Sequence, residues 1–268
     1  MAEANYIDIN KRSWNKKTDV HLASDFYDLD GFLKGNTSLN DIELKLLGDI
    51  KGKSVLHLQC HFGQDTISLG RLEADVTGVD LSDNAINKAK ELAQKCNIKA
   101  KFICSNVYDL PQHLNEQFDI VFTSYGTIGW LPDLDKWAGI VSRFLKPTGK
   151  FVFVEFHPVV WMYDNNFTKV EYSYFNVGPI VETETGTYAD RDAPVVDKTI
   201  TWNHPTSEVL NSLIKNGLEL NSFDEFNYSP YSCFRGAVEV GSKKYRIPAF
   251  DDKIPLVFSL VATKKAGN

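Results

Sequence analysis

From residue 54 onward, short apolar runs alternate with stretches at helical spacing. Residues 54–60 (Ser-Val-Leu-His-Leu-Gln-Cys) read as a buried strand, followed by a helix from about 64 to 73. Residues 75–81 form a second strand. Ser82 then caps a helix in which Ala85, Ile86, Ala89, Leu92, Ala93 and Cys96 recur at helical intervals. Strands at 101–105 and 118–123 precede a helix carrying Leu134, Trp137, Ile140, Val141, Phe144 and Leu145. That helix stops at Lys146-Pro-Thr-Gly149, where two helix terminators meet. A fifth strand spans 150–156, and a last helix runs from Pro205-Thr206 to Asn216-Gly217. Strands at 218–228 and 255–264 end the pattern. Strands alternating with helices predict an α/β fold, a mainly parallel sheet covered on both faces.

Three stretches break this rhythm. Residues 1–53 read as a helical cap, in which Ser38-x-x-Asp41 has the form of a capping box ahead of Leu46, Leu47 and Ile50. Residues 159–204, rich in aromatics and acids and punctuated by Gly178, Gly186 and Pro194, read as an inserted hairpin or lid. Residues 228–253 form a second insertion and 265–268 a tail. The expected organisation is a 1–53 cap on a 54–264 domain with those two insertions, placed where an α/β sheet builds its substrate site.

Composition enters mainly by exclusion. The 268 residues are 43% apolar and 24% charged, near globular averages, which excludes a disordered or low-complexity chain. A net charge of −6 gives no basic footprint for nucleic acid, and the clusters at Lys11–Lys17 and Lys243–Arg246 read as solvated faces. The four cysteines form no CxxC pair, so free thiols are expected. No apolar run approaches the roughly 18 residues of a membrane-spanning helix. Residues 1–8 lack the pattern of a signal peptide. The expectation is a cytoplasmic monomer or homodimer with no membrane or nucleic-acid partner.

Candidate chemistry begins at 55–63, Val-Leu-His-Leu-Gln-Cys-His-Phe-Gly, with Asp80 at the tip of the next strand. A nucleotide site in a doubly wound sheet needs a tight turn where backbone approaches the ligand. It also needs a carboxylate about 20 residues on for the ribose hydroxyls, and Asp80 stands near that offset from Gln59. The turn keeps Gly63 but carries Gln59 and His61, which opposes a pyrophosphate-binding GxGxxG loop and hence an NAD-dependent oxidoreductase. No metal site is expected. No second Cys/His pair stands at ligand spacing, and strand alternation sends His57 and Cys60 to opposite faces.

The turn is followed in order by Gly78-Val-Asp-Leu-Ser82, Phe102-Ile-Cys-Ser-Asn-Val-Tyr-Asp-Leu110, Phe118-Asp-Ile-Val-Phe-Thr-Ser-Tyr-Gly126 and the 144–152 run Phe-Leu-Lys-Pro-Thr-Gly-Lys-Phe-Val. Over about 54–158, with weaker support from 205–264, the chain resembles the class I S-adenosylmethionine-dependent methyltransferases of the small soluble bacterial type. The resemblance implies a Rossmann-like, doubly wound, seven-stranded, mostly parallel sheet with an antiparallel last strand. It implies S-adenosyl-L-methionine as cofactor, S-adenosyl-L-homocysteine as product, and a small-molecule acceptor methylated at O, N or S in preference to C. It assigns Gln59, Cys60, His61 and Gly63 to the methionine part, with His57 in place of the family's usual first-strand acid. Asp80 would hold the ribose hydroxyls and Leu81 would pack on adenine. Asn106 would lie near the adenine amino group, with Val107 as a backbone contact. Thr123, Ser124 and Tyr125 would border the methionine and the transferred methyl. The family's two loop glycines are Gln59 and His61 here, which raises a non-catalytic S-adenosylmethionine-binding protein as the alternative.

Displacement at an activated methyl needs alignment and exclusion of water, and a base only where the acceptor must lose a proton. Candidates are His157 and Glu155 at the end of the fifth strand, Tyr125, and His21 or Tyr27 if the N-terminal helices fold over the site. The acids between Asp164 and Asp197, interleaved with Phe167, Tyr172, Tyr174, Phe175 and Tyr188, read first as a solvated hairpin with a small hydrophobic base, the alternative being a wall for a cationic or amine-bearing acceptor.

Overall fold

The computed structural model describes residues 5–265, so residues 1–4 and all but the first residue of the 265–268 tail lie outside the description. Three helices precede the sheet: α1 (Tyr6–Ala23), α2 (Leu29–Leu33) and α3 (Asp41–Leu47). The capping box of α3 is made by Asn40 and Glu43 rather than by Ser38 and Asp41. The Ser38 N–H and hydroxyl both turn instead to Ser68 Oγ, at 3.2 and 3.0 Å.

The chain continues through β1 (Ser54–Leu58), α4 (Gln64–Arg71), β2 (Asp75–Asp80), α5 (Asp83–Lys95), β3 (Ala100–Cys104), β4 (Phe118–Ser124), α6 (Leu134–Phe144) and β5 (Leu145–Phe156). A hairpin of β6 (Ile180–Thr185) and β7 (Val196–Thr201) precedes α7 (Thr206–Lys215) and β8 (Leu218–Phe226). A second hairpin, β9 (Val238–Gly241) and β10 (Lys244–Arg246), precedes β11 (Val257–Lys264). The main sheet has seven strands in the order β3-β2-β1-β4-β5-β11-β8. β11 runs antiparallel to both neighbours, and the other pairs are parallel.

Several boundaries shift by a few residues from the sequence reading, and two of the shifts have a clear local reason. β1 ends at Leu58 because Gln59 turns to φ 56°, which a strand cannot accommodate. The Lys146–Gly149 turn lies inside β5 as a register jump: Phe118 faces Leu145, but Ile120 faces Lys150.

Both faces of the sheet are buried, as a parallel sheet requires. One face carries Leu56, Leu58, Val121 and Phe153 under Trp137 and Phe144 of α6. The other carries Val55, Val76, Ile120 and Phe122 under Leu39, Leu47 and Leu69. Strand order reverses between β1 and β4, so the crevice of the fold opens at their carboxyl ends. α1 arrives there. Its buried face is polar, with Asn10, Ser13, Lys17, Thr18 and His21, and it docks on the first hairpin. Asn10 donates to Ile200 O at 2.8 Å and accepts the Ile200 N–H at 3.0 Å, while Lys16 pairs with Asp197 at 2.8 Å. Among the described residues no helix is long and apolar enough to cross a membrane.

Candidate active site

Asp80 ends β2 at the crevice. Its Oδ2 accepts the His61 N–H and its Oδ1 accepts the Ser82 N–H, both at 2.8 Å. Burial raises its carboxyl to about 6 against the pull of those backbone donors. Asp80 thus stitches the β1–α4 turn to the head of α5, and each oxygen keeps a further lone pair. The turn itself passes through Gln59 at φ 56°, His61 at φ 50° and Gly63 at φ 83°. Glycine's backbone shape is retained at the two positions that have lost glycine, at a cost of about 1–2 kcal/mol each. A Cβ on Gly63 would stand 2.9 Å from Ala89 Cβ and Phe102 Cε1, so this glycine also lets α4 start against α5 and β3.

Other assigned residues face inward. His57 Nδ1 lies 2.8 Å from Thr66 Oγ1, and burial holds the ring neutral down to about 4. Cys60 is buried among Phe62, Ala89 and Phe102. Thr123 Oγ1 donates to Leu58 O at 3.2 Å and Ser124 Oγ to Asp65 Oδ2 at 3.2 Å. Val107 is a core residue and Leu81 is half-buried. Asn106 Oδ1 accepts the Tyr108 N–H at 3.2 Å, so one lone pair of the oxygen expected near adenine caps a short helical turn.

α1 lies over this turn. Asn15 grips the head of α5, accepting the Ser82 hydroxyl on Oδ1 at 2.6 Å and the Asn84 amide on its carbonyl at 2.8 Å. The Trp14 ring meets His61 and Trp130 edge-on, each at 5.2 Å between centroids, and Lys17 Nζ stands 5.4 Å from both indoles. His21 packs between His61 (5.1 Å), Tyr27 (5.3 Å) and Tyr188 (4.7 Å). Among the described residues, four buried polar atoms here have no hydrogen-bond partner: both ring nitrogens of His21, His61 Nε2 and Gln59 Oε1. Gln59 Nε2, in contrast, reaches Thr127 O at 2.8 Å. Burial and the Lys17 charge keep His21 neutral down to about 3, and burial, His21 and Lys17 hold His61 well below its ordinary value. Each unpaired buried group costs about 1–3 kcal/mol, so hydrogen-bonding demand is concentrated at the crest of β1.

The candidate bases divide. Glu155 accepts the N–H groups of Gly126, Thr127 (2.7 Å), Ile128 (3.2 Å) and Phe156 (2.7 Å), and the Thr127 hydroxyl (2.9 Å). His157 places Nε2 at 2.9 Å from Glu225 and accepts the Val159 N–H on Nδ1 at 3.2 Å. Glu155 thereby holds the β4–α6 loop, and His157 ties the end of β5 to β8 across β11. His21 and Tyr27 do fold over the turn, Tyr27 sharing a hydrogen bond with the Tyr188 hydroxyl. Tyr125, at φ 32°, donates to Glu43 Oε2 at 3.0 Å.

Three acids of the 159–204 insertion have partners within the protein. Glu182 accepts from Tyr172 at 2.6 Å, Glu184 from Asn165 at 2.7 Å, and Asp197 binds Lys16. Sequence reasoning missed Trp14, Lys17 and Glu43. The first two share a helix face with His21 at i, i+3 and i+7, a spacing visible in the chain. Glu43 carries no mark beyond its place in a cap. Among the described residues no group of three or more His, Cys, Asp or Glu is arranged to hold a metal. A surface groove of about 420 Å³ between α6 and α7 contains none of the candidate residues.

These residues fit S-adenosylmethionine. Asp80 retains acceptor capacity for ribose hydroxyls, and the partnerless atoms of Gln59, His61 and His21 offer donors and acceptors for an amino-acid end. A family model described as a methyltransferase domain matches residues 49–207, more than half of the chain. The ubiquinone biosynthesis O-methyltransferase of Coxiella burnetii is 30% identical over 148 residues, or 54% of this chain and 62% of that protein, so the chain spans less than two thirds of that relative. A solved S-adenosylmethionine-dependent methyltransferase from Clostridium acetobutylicum has a TM-score of 0.59 at 15% identity, over 94% of this chain and 99% of that one. The geranyl diphosphate C-methyltransferase of Streptomyces coelicolor has a TM-score of 0.56 at 16% identity, over 83% of this chain and 76% of that one. At such identities the likeness to these structures is one of fold. The matched span contains the left-handed turn, Asp80 and the crest of β4, and the chain belongs to the class I S-adenosylmethionine-dependent methyltransferase family.

Proposed function

We propose that this protein transfers a methyl group from S-adenosylmethionine to an oxygen, nitrogen or sulfur atom of a small molecule. The observation that carries the reading is Asp80, which grips the glycine-shaped turn of β1 through a backbone N–H and keeps lone pairs for a ligand. When bound, the cofactor supplies a sulfonium methyl already activated for in-line displacement. The chain's own work is to bind, orient and exclude water. Asp80 holds the ribose hydroxyls, while Leu81, Asn106 and Val107 flank adenine. Gln59, His61 and His21 meet the amino-acid end with their partnerless atoms. Tyr125 stands at the crest of β4, and the rings of Phe26, Tyr27, Tyr188 and Tyr231 form the wall against which the acceptor lies. The O-methyltransferase name of the Coxiella relative supports oxygen as the acceptor atom.

Release of S-adenosylhomocysteine should be measured over a panel of phenols, amines and thiols. The protein is expected to release it in an acceptor-dependent way; binding without release on any acceptor would make it a non-catalytic binding protein. Asp80→Ala is expected to weaken S-adenosylmethionine binding about 10- to 100-fold, the loss of one or two hydrogen bonds to a charged group. Unchanged affinity would reject the ribose assignment.

A further inference from the structure

Glu43 is fully buried, at 0% exposure, and binding of the cofactor leaves it unused. Its Oε1 serves the cap of α3, accepting the Asn40 N–H at 3.4 Å and the Asn40 amide at 3.2 Å. Its Oε2 is turned away from the cap and accepts the Tyr125 hydroxyl at 3.0 Å. A glutamine would complete the same capping box without burying an ionisable group, so the cap alone does not account for a glutamate. Tyr125 is held in a left-handed conformation one residue beyond β4, with its N–H on Val154 O at 2.7 Å, and such strain concentrates at working sites.

No lysine or arginine lies within ion-pair distance of Glu43 among the described residues. The groups that face it are Tyr125 from the β4 crest, Asp65 from α4, and Tyr231 and Tyr228 from the 228–253 insertion. Burial, with Asp65 adding to it, pushes the Glu43 carboxyl up to about 7, so it both takes and releases a proton near neutrality.

We propose that Glu43, acting through the Tyr125 hydroxyl, is the final proton acceptor of methyl transfer, and that the methyl acceptor is a phenolic hydroxyl. The proposal rests on the methyltransferase reading of the site. The phenol class follows from two observations. The middle member of the relay is itself a phenol, so the proton passes between groups of similar intrinsic acidity. The rings beside it, Tyr231 at 5.1 Å from Tyr125, Phe26 at 5.8 Å from Tyr231 and Tyr188 at 5.4 Å from Phe26, make a wall suited to a planar ring.

In the step, the phenolic oxygen bonds to the methyl carbon as the carbon–sulfur bond breaks and its electron pair stays on sulfur. The phenol's proton moves to Tyr125 Oη while the Tyr125 proton moves to Glu43 Oε2. Burial and the Glu43 charge hold the Tyr125 hydroxyl well above its ordinary value, so Tyr125 hands on one proton as it receives another.

The test compares the full chain with Glu43→Gln and Tyr125→Phe, of which the first keeps the capping box. Thermal unfolding and S-adenosylmethionine calorimetry serve as controls for fold and cofactor binding. With 4-cresol, catechol and naphthol as acceptors, kcat/KM of the native chain is expected to rise with pH through about 7. Both variants are expected to lose that limb and about a hundredfold in kcat, with KM for the cofactor unchanged in Glu43→Gln. Pentafluorophenol, already ionised at the assay pH, is expected to restore both variants to near the native rate. In the cofactor-free protein, infrared pH titration is expected to show a carboxyl band that vanishes in Glu43→Gln and shifts in Tyr125→Phe. The proposal is overturned if Glu43→Gln keeps the limb, if pentafluorophenol gives no rescue, or if that band is absent. It is also overturned if a chain that binds S-adenosylmethionine methylates none of the phenols. Failure to bind S-adenosylmethionine at all would instead remove the methyltransferase reading, and this inference with it.

Discussion

His21 and His57 stay neutral down to about 3 and about 4, and His61 is likewise depressed, because burial disfavours the charged ring in each and outweighs the nearby Asp65 carboxylate at His57. In the unfolded chain each takes a proton below about 6.5, so the folded state loses stability as pH falls from there toward the folded values. Glu43 and Asp80 act in the opposite sense. Their folded values of about 7 and 6 lie above those of the unfolded chain, so the stability they contribute grows as pH falls from about 7 toward about 4. His21→Asn removes one member of the first set. Its stability relative to the native chain, measured by denaturant unfolding, is expected to improve as pH falls from 6.5 to 4, by up to about 1.4 kcal/mol per unit. A pH-independent difference would contradict a buried neutral His21.

At this scale the place of Asp80 at the tip of β2, beside the β1–α4 turn, was legible from its offset along the chain. Gln59 and His61 were only half legible: the letters announced lost glycines, whereas the fold keeps glycine's backbone angles. Glu43 was not legible, because a capping glutamate and a proton acceptor look alike until the second oxygen finds Tyr125.

α1 is the element that sequence patterning describes least well. Hydrophobic periodicity finds amphipathic helices by their apolar stripe, and the stripe α1 buries is Asn10, Ser13, Lys17, Thr18 and His21. Apart from Thr18, which bonds to Trp14 O of its own helix, these positions meet polar groups or rings brought by other elements instead of a general apolar core, so their partners are set by tertiary placement. Asn10→Ala should show this. It removes both bonds to Ile200 and leaves that residue's N–H and C=O buried without them, at roughly 1–3 kcal/mol. Amide exchange is expected to quicken in α1 and β7 and to stay slow in β1 and β4; uniform acceleration would mean that α1 is part of the global folding unit rather than a separable cover. The α4 and α5 boundaries, in contrast, were visible because Gly63 and Ser82 mark them chemically.

Over the whole molecule, what the sequence reveals falls off with the range of the contacts. The sheet core between 54 and 158 is written in contiguous apolar runs, and its mainly parallel direction follows from alternation with helices, whereas its strand order does not. The cover over the crevice is assembled from pairs far apart in the chain: Asn10 with Ile200, Asn40 with Tyr231, Tyr125 with Glu43. No local pattern encodes such pairs, which is why the sheet core could be read from the letters while these contacts could not. The measurement that tests the central claim most directly is calorimetry of the native chain with S-adenosylmethionine, S-adenosylhomocysteine and NAD. The two sulfur compounds are expected to bind at one per chain and to lose affinity in Asp80→Ala, with NAD giving no heat of binding. Binding of NAD with neither sulfur compound would contradict the account.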